Sequence, residues 1–460
     1  MASRPTDPRD PRFDDLWRSG PVYIASNRPL ARVARPVREF LRVEAAGSIL
    51  LLLAAAAALL WANSPFAESY DALWHTHLVL DVGPLHLDES LQHWVNDALM
   101  VIFFFVVGLE IKYELVNGDL RDPKTAALPI IAAVGGMVVP AGIYFALNPA
   151  GSDGGAGWGI PMATDIAFAV GVLGILGRRI PSAARLFLLT LAIVDDIGAI
   201  LVIAVFYTSD LSLTWLAIAV GLLAAMVVAR LLRVWTVVVY AVLGLGVWFA
   251  LLESGVHATL AGVAIGLLAP ATPLLEEEVA RKHAREALRD NRIDPDELAR
   301  LRFLLKVSVS VVERLVSALH PVSAYLVLPV FALANAGVEL GAIGKVFSDP
   351  VGLGIVLGLV VGKPIGIFLA SLAAVRLGLG RLPSGTTWPV VLGLGAVGGI
   401  GFTVSIFIAG LSFPGAELLT EEAKIAILLA SLIAAVVGVA ILLAATRHQT
   451  PGDVVDEVDA

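Results

Sequence analysis

The chain contains no cysteine, which excludes disulfide bonds, thiolate metal sites and cysteine nucleophiles. Charge is also scarce, because only 16% of the 460 residues are charged while 58% are hydrophobic. A soluble protein of this length usually divides into several domains and carries more charge. The composition therefore argues against a soluble protein.

Motifs of common hydrolases and ATPases are missing as well. The sequence has no HExxH segment, no GxSxG segment and no histidine cluster. Gly358 and Gly362 precede Lys363 as in a phosphate loop, but three residues separate the glycines instead of four. Pro364 also stands where that loop needs a serine or threonine. We therefore expect no enzyme, no cofactor and no binding of ATP or nucleic acid.

Long apolar stretches recur along the chain, and the mean hydropathy is +0.84. Stretches of about 18 or more apolar residues are typical of membrane-spanning helices, whereas a β-barrel shows short alternating strands. The sequence predicts an all-α polytopic membrane protein embedded in lipid, with about twelve transmembrane helices. Their approximate cores are 43–62, 94–111, 125–147, 158–177, 183–206, 211–229, 234–252, 256–270, 320–339, 351–375, 387–410 and 424–445.

Basic residues predict the orientation of these spans. Lys345 and Lys424 lie in loops of one side, and Lys363 lies inside a span. All other lysines and arginines lie near the termini or in loops of the opposite side. Loops rich in lysine and arginine stay in the cytoplasm. We therefore expect both termini to be cytoplasmic.

The segments outside the spans divide the chain further. Residues 1–42 form a basic cytoplasmic arm and residues 447–460 an acidic cytoplasmic tail, and both are predicted to be disordered. Residues 43–446 form the transmembrane domain. Its cytoplasmic loop 271–314 is charged and rich in helix formers, and its longest periplasmic loop is 63–92.

Part of the periplasmic loop, residues 78–90, alternates in residue type around Gly83-Pro84. This pattern fits a short β-hairpin, and it fits an irregular loop about equally well. A hairpin here would be suited to pairing two protomers. We therefore expect a homodimer that associates through the 78–90 loop.

Four ionisable residues lie at membrane depth: Asp165, Asp195, Asp196 and Lys363. Each costs about 3 kcal/mol at the centre of a span on lenient scales, so the set costs on the order of 10 kcal/mol if nothing compensates it. A salt bridge between Lys363 and one aspartate accounts for only two of the four charges. The set therefore predicts a functional site rather than a structural ion pair alone.

Asp195 and Asp196 cannot both face the same partner, because neighbouring residues on a helix differ in direction by about 100°. One of them can pair with Lys363 while the other faces a water-filled cavity. Hard cations such as Na⁺ favour oxygen ligands, which a carboxylate, the Thr164 hydroxyl and free backbone carbonyls would supply. A site of this kind holds either a proton or a cation, which is the minimal requirement for an exchanger.

Two spans are interrupted by small and helix-breaking residues, within 159–171 and within 395–410. Paired interruptions in the two halves of a membrane protein are a sequence indicator of a transporter binding site. Small residues also serve ordinary helix packing, so the pattern by itself leaves both interpretations open.

Six segments of the chain resemble, in the same order, the NhaA sodium/proton antiporters. They are 162–173 (MATDIAFAVGVL), 191–200 (LAIVDDIGAI), 256–262 (VHATLAG), 331–337 (FALANAG), 362–366 (GKPIG) and 399–407 (GIGFTVSIF). The resemblance implies a twelve-helix antiporter of the bacterial inner membrane that exports Na⁺ or Li⁺ for a larger number of protons. It also implies inverted-topology repeats, with two broken helices at 158–177 and 387–410 that cross near the midplane.

The resemblance also implies roles for the buried residues. Asp196 would be the principal ligand for Na⁺ and a proton carrier, and Asp195 would be its partner and pair with Lys363 in one state. Asp165 and Thr164 would lie where the broken helices cross, with Asp165 balancing the partial charges of the helix ends. Thr164 and Asp195 would complete the Na⁺ ligands.

Members of this family are activated at alkaline pH through acidic residues at the cytoplasmic entrance. Glu110 and Glu114 match this cluster, whereas Val316 stands where the family has a further glutamate. Glu313, nearly one turn earlier, is the candidate substitute. The departure affects the expected pH profile and leaves the transport chemistry unchanged.

Two other classes of protein also place acids in the membrane. A sodium-coupled solute carrier of related fold is the alternative function, and it would need a cavity with contacts for an organic solute. An intramembrane aspartyl protease needs two facing aspartates with a Gly-x-Gly-Asp segment, which this chain lacks.

Overall fold

The computed structural model describes residues 46–82, 85–208, 211–232, 234, 237–273, 275, 278–279, 281–282 and 295–447. The amino-terminal arm and the tail after residue 447 lie outside these residues, and so do the predictions of their disorder. The part of the chain that the structure describes is mostly helical.

The α-helices of the described residues are numbered along the chain. They are α1 (Ala46–Ala62), α2 (Ala67–Trp74), α3 (Met100–Val116), α4 (Pro123–Leu147), α5 (Ile166–Leu176), α6 (Ser182–Phe206), α7 (Leu213–Leu231), α8 (Val237–Leu252), α9 (Leu260–Leu268), α10 (Pro295–Val307), α11 (Val311–Val322), α12 (Leu328–Asn335), α13 (Pro350–Leu357), α14 (Lys363–Arg376), α15 (Trp388–Gly398), α16 (Phe402–Ser412) and α17 (Glu417–Ala445). A single helical turn, Leu91–Trp94, and a π-helical turn, Val95–Leu99, lead into α3.

Seven helical stretches in the described residues are long and apolar enough to cross a membrane. The number rises to nine if each of two bent pairs counts as one span: α1 with α2, bent by 116°, and α15 with α16, bent by 47°. The seven are Pro123–Leu147, Gly155–Leu176, Ser182–Phe206, Leu213–Leu231, Val311–Asn335, Pro350–Arg376 and Glu417–Ala445. The all-α polytopic membrane fold is thus confirmed, while the count of twelve spans stays a prediction.

The connection between α2 and α3 contains a two-stranded antiparallel sheet. Strand β1 (His77–Val82) pairs with β2 (Leu85–Ser90), and the register places His77 opposite Ser90. His77 Nδ1 lies 2.7 Å from a carboxylate oxygen of Asp88 across the pair. Of the two structures that the sequence pattern left open for this loop, the protein adopts the hairpin.

The helices pack through close backbone contacts at glycine. α4 packs against α14 and α3 against α9. A Cβ atom added at Gly366 would lie 2.2 Å from the carbonyl oxygen of Gly135, and one at Gly262 would lie 2.3 Å from that of Val101. Such approach of two helix backbones is typical of membrane proteins, where small residues line helix interfaces.

Gly366→Ala is therefore expected to destabilise the protein, because the new methyl group has no space at the seam between α4 and α14. Overpacking of this kind costs about 1–3 kcal/mol, which a lower thermal unfolding temperature in detergent would show. Gly221→Ala in α7 is the matched control, because a Cβ there meets nothing within 4 Å. Equal unfolding temperatures for the two variants would contradict the tight seam.

Candidate ion-binding site

The first broken helix consists of a 3₁₀ helix, Gly155–Met162, followed by α5. Pro161 has no backbone N–H and disfavours α-helical backbone at the residue before it. Ala163 and Asp165 then adopt extended backbone conformations before α5 begins at Ile166. The backbone amide and carbonyl groups of this break are consequently free to bond outside their own helix.

The second broken helix is formed by α15 and α16, which are separated by residues 399–401. A Cβ atom at Gly399 would lie 2.4 Å from the carbonyl oxygen of Leu359 on a neighbouring helix. Glycine is required at this position because the two backbones approach each other so closely. The glycine-rich segment thus ends one half-helix and leaves room for its neighbour.

The two breaks lie against each other. The backbone N–H of Asp165 donates to the carbonyl oxygen of Ile400 (2.7 Å), and the Thr164 hydroxyl donates to the carbonyl oxygen of Gly398 (2.8 Å). Each break therefore satisfies backbone groups of the other, as buried polar groups require. The interrupted spans identified in the sequence meet in space.

Asp165 joins the amino-terminal ends of two half-helices. One of its carboxylate oxygens accepts a hydrogen bond from the Phe168 backbone N–H (2.9 Å) at the start of α5. The other accepts from the backbone N–H of Thr403 (3.0 Å) and from its hydroxyl (2.6 Å) at the start of α16. Helix amino termini carry partial positive charge, so a carboxylate shared between two of them stabilises both.

Asp195 and Lys363 form an ion pair at the break. Lys363 Nζ lies 2.5 Å from Asp195 Oδ2, and both side chains are fully buried. The Thr164 hydroxyl donates to the same carboxylate oxygen (2.6 Å), and Lys363 Nζ also donates to the carbonyl oxygen of Met162. The structure thus brings together Thr164, Asp195 and Lys363, which lie far apart in the sequence.

Asp196 is the residue after Asp195 on α6, and it is 5% exposed. Its Oδ1 atom is buried and has no hydrogen-bond partner among the described residues, and the same holds for Oδ1 of Asp195. Two buried carboxylate oxygens without protein partners are costly unless they bind a proton or a cation. No group of three or more histidine or acidic side chains in the described residues is placed to hold a metal ion. A small cation would therefore need hydroxyl, backbone carbonyl or water oxygens besides these carboxylates.

Glu110 and Glu114 lie one turn apart near the end of α3. The Glu114 carboxylate accepts a hydrogen bond from the backbone N–H of Asp119 (3.0 Å) in the turn that follows α3. Both glutamates lie on the same face of α3, near its carboxy-terminal end.

The Glu313 side chain takes part in capping its own helix, α11. Its carboxylate accepts hydrogen bonds from the backbone N–H (3.0 Å) and hydroxyl (2.7 Å) of Ser310, and the Glu313 N–H donates back to the Ser310 hydroxyl (3.1 Å). This is a capping box at the start of α11. Val316, one turn on, packs against an apolar cluster that includes Leu109 and Val312. The Ser-x-x-Glu spacing could have indicated the capping role from the sequence.

Two contributors to the site were not identified from the sequence. Thr403 binds Asp165 through both its N–H and its hydroxyl, and the Met162 carbonyl oxygen accepts from Lys363. Thr403 lies at the second position of a half-helix that follows a glycine-rich break. The first N–H groups of a helix have no partner within the helix. A hydroxyl residue at this position is therefore the signal by which Thr403 could have been found.

Two broken helices that meet around buried carboxylates and a lysine are typical of a secondary membrane transporter. Comparison with known proteins gives the family. The profile of the family "Na+/H+ antiporter 1" matches residues 38–442, and the chain belongs to this family. The resemblance noted from the six segments is thus confirmed.

Individual relatives extend over nearly the whole chain. The chain is 48% identical to "Na(+)/H(+) antiporter NhaA 2" of Sorangium cellulosum, over 97% of each protein. It is 47% identical to "Na(+)/H(+) antiporter NhaA" of Rhodopirellula baltica, over 90% of this chain and 95% of that one. It is 44% identical to the NhaA antiporter of Oleidesulfovibrio alaskensis, over 93% and 98%. The family consists of transporters, so this chain is a multi-pass membrane transporter and not an enzyme.

Proposed function

We propose that this protein exports Na⁺ or Li⁺ in exchange for protons across a bacterial inner membrane. The observation that carries the proposal is the pair of carboxylates at the meeting point of the broken helices. Asp195 is held by Lys363 and Thr164, while Asp196 keeps a buried oxygen without a protein partner. The names of the relatives, all Na⁺/H⁺ antiporters, support the same function.

Competition between protons and cations for the same oxygens gives the exchange. A protonated Asp196 has lost the negative charge that attracts a cation, and a bound cation excludes the proton. Binding of Na⁺ to Asp196 on the cytoplasmic side thus releases a proton, and protonation on the periplasmic side releases Na⁺. Alternating access of the site to the two sides then couples the opposite movements of the two ions.

The ion pair offers a second proton carrier. If a cation draws Asp195 away from Lys363, the buried ammonium loses its counter-charge and is driven to release a proton. Two protons for one cation would make the exchange electrogenic. We therefore propose that Asp196 and the Asp195–Lys363 pair together carry the exchanged protons, with Thr164 as a further oxygen ligand for Na⁺.

We also propose an orientation of the protein in the membrane and a homodimeric assembly. The basic loops support an arrangement with both termini in the cytoplasm. The hairpin supports a homodimer, because a two-stranded sheet is marginal alone and its edges can pair with a second copy. Leu78 and Val79 on β1 are 45% and 48% exposed, which suits burial against a partner protomer. No cofactor or ATP is needed for exchange driven by ion gradients.

Ion exchange is tested with purified protein in liposomes that hold a pH gradient, read by a pH-sensitive dye. Addition of Na⁺ or Li⁺ is expected to release protons and collapse the gradient, whereas choline at the same concentration is not. A response that requires an added organic solute would point to the sodium-coupled solute carrier. A gradient unaffected by Na⁺ and Li⁺ over the neutral to alkaline range would refute the antiporter.

The pH response is proposed to depend on Glu110 and Glu114, and we expect Glu313→Gln to leave it unchanged. Glutamine at the third position of a capping box replaces glutamate well, so α11 keeps its start while the charge is lost. The measurement is the exchange rate as a function of pH, compared with Glu110→Gln, which is expected to shift the profile. A profile shifted by Glu313→Gln alone would assign the response to Glu313 instead.

A further inference from the structure

The 3₁₀ helix of the first broken helix, Gly155–Met162, has glycine at positions 155, 157 and 159. A Cβ atom added at Gly157 would clash with the hydroxyl oxygen of Tyr144. One added at Gly159 would lie 2.7 Å from the hydroxyl oxygen of Tyr207, closer than real Cβ contacts. Two of the glycines therefore leave room for a tyrosine hydroxyl against the backbone, a role that the ion-binding site alone does not explain.

Both tyrosine hydroxyls form hydrogen bonds with the backbone here. Tyr144, on α4, donates to the carbonyl oxygen of Gly154 (2.7 Å). The Tyr207 hydroxyl donates to the carbonyl oxygen of Ala156 (2.7 Å) and accepts from the backbone N–H of Gly159 (3.3 Å). Because a phenol hydroxyl is both donor and acceptor, Tyr207 binds the 3₁₀ helix at two points.

The backbone of Tyr207 is itself fixed by its neighbours. Tyr207 is the residue after α6, and its N–H donates to the carbonyl oxygen of Ile203 on that helix (3.2 Å). His257 Nε2 lies 2.7 Å from the Tyr207 carbonyl oxygen. Since α6 also carries Asp195 and Asp196, Tyr207 joins the 3₁₀ helix to the helix that bears the acids of the ion-binding site.

The other end of the 3₁₀ helix contributes to the ion-binding site. The Met162 carbonyl oxygen accepts from Lys363, and two residues later the Thr164 hydroxyl donates to Asp195 (2.6 Å). A 3₁₀ helix has poor internal hydrogen-bond geometry and is rarely longer than about four residues, whereas this one has eight. Its position therefore depends on bonds from other elements, and Tyr207 supplies two of them at the end remote from the ions.

We propose that Tyr207 is a positioning residue for the ion-binding site, because its hydroxyl keeps the 3₁₀ helix in register with α6. The first broken helix contacts α6 through Thr164 and Asp195 at the site, and through Tyr207 at the other end. With both contacts in place, the Thr164 hydroxyl stays beside the carboxylates, and a cation need not order this ligand when it binds. Loss of the Tyr207 hydroxyl weakens the binding of Na⁺, an effect that rests on the proposed antiport.

Tyr207→Phe removes the hydroxyl and keeps the ring. We expect the half-saturating Na⁺ concentration for exchange in liposomes to rise about three- to tenfold, as loss of a hydrogen bond does, and the maximal rate to stay within about twofold. Tyr240→Phe is the matched control, because the Tyr240 hydroxyl on α8 also donates to a backbone carbonyl oxygen, that of Val234 (3.1 Å). A lower unfolding temperature and maximal rate with unchanged half-saturation would mean that Tyr207 only stabilises the fold, and the proposal would fall.

Gly159→Ala tests the same contact from the other partner. The new methyl group would lie 2.7 Å from the Tyr207 hydroxyl oxygen but 3.2 Å from the nearest ring carbon. In the wild type it must displace the hydroxyl, so the half-saturating Na⁺ concentration should rise as in Tyr207→Phe. Added to Tyr207→Phe, it should raise that concentration by less than about twofold. Effects that multiply in the double variant would contradict the positioning contact.

Hydrogen–deuterium exchange of the purified full-length protein, read by mass spectrometry, reports on the 3₁₀ helix without any ion transport. Deuterium uptake within 155–162 should be about three- to tenfold faster in Tyr207→Phe than in the wild type, and unchanged in Tyr240→Phe. Equal uptake in Tyr207→Phe and the wild type would overturn the proposal. A wild type that transports no Na⁺ would refute the antiport itself, while the deuterium uptake would still decide whether Tyr207 holds the 3₁₀ helix.

Discussion

Replacement of Asp196 by asparagine is expected to abolish Na⁺-dependent proton release. Asparagine keeps the size of the side chain and one oxygen atom, but it carries no negative charge and accepts no proton at neutral pH. Changes to the partners of metal ligands alone often cost 10–100-fold in affinity, so loss of a ligand charge should lower exchange by about 100-fold or more. The measurement is the dye assay in liposomes with matched amounts of protein.

Two comparisons separate loss of the ion site from loss of the fold. Asp153→Asn, in an exposed turn outside the site, should exchange ions as the wild type does. The thermal unfolding temperature of Asp196→Asn should stay close to that of the wild type or rise, because a buried carboxylate oxygen without a protein partner has been neutralised. Full exchange by Asp196→Asn would remove Asp196 from the mechanism even though the family assignment stands.

The buried charges of the site could be predicted from the sequence because of their cost in a membrane. A single structural salt bridge does not offset the cost of burying all four of these residues, Asp165, Asp195, Asp196 and Lys363. Their presence in apolar spans therefore indicates a functional site. The two interruptions were visible for a similar reason, because glycine and proline disfavour a straight helix. Which acid pairs with Lys363 did not follow from spacing, and only the family resemblance assigned Asp195.

The partners of these residues could not be predicted, because they come from distant parts of the chain. Thr403 reaches Asp165 from 238 residues away, and no local pattern records that contact. The π-helical turn Gly358–Gly362 immediately before Lys363 was also missed, since such turns arise from packing and have no firm sequence signature. The capping box that Glu313 forms with Ser310 was missed for the opposite reason, because its Ser-x-x-Glu signal is local and was overlooked.

Lys363→Met is expected to destabilise the protein by about 3–5 kcal/mol, the usual cost of removing one partner from a buried ion pair. Asp195 then loses its counter-charge, and the Met162 carbonyl oxygen loses the donor that Lys363 provides. The measurement is thermal unfolding in detergent. Lys124→Met, at the exposed start of α4, is the matched control and should unfold as the wild type does.

The double variant Lys363→Met with Asp195→Asn isolates the contribution of the pair. Asparagine retains an oxygen for the Thr164 hydroxyl and carries no charge, so the double variant should be more stable than Lys363→Met alone. The single variant should also lose more stability as the pH rises, because an unpaired Asp195 must either keep a proton or bear a buried negative charge. The double variant lacks that carboxyl group and should not share this dependence. The two single variants and the double variant are compared at each pH. If the destabilisation of the double variant always equals the sum of the two single effects, Lys363 and Asp195 do not stabilise each other.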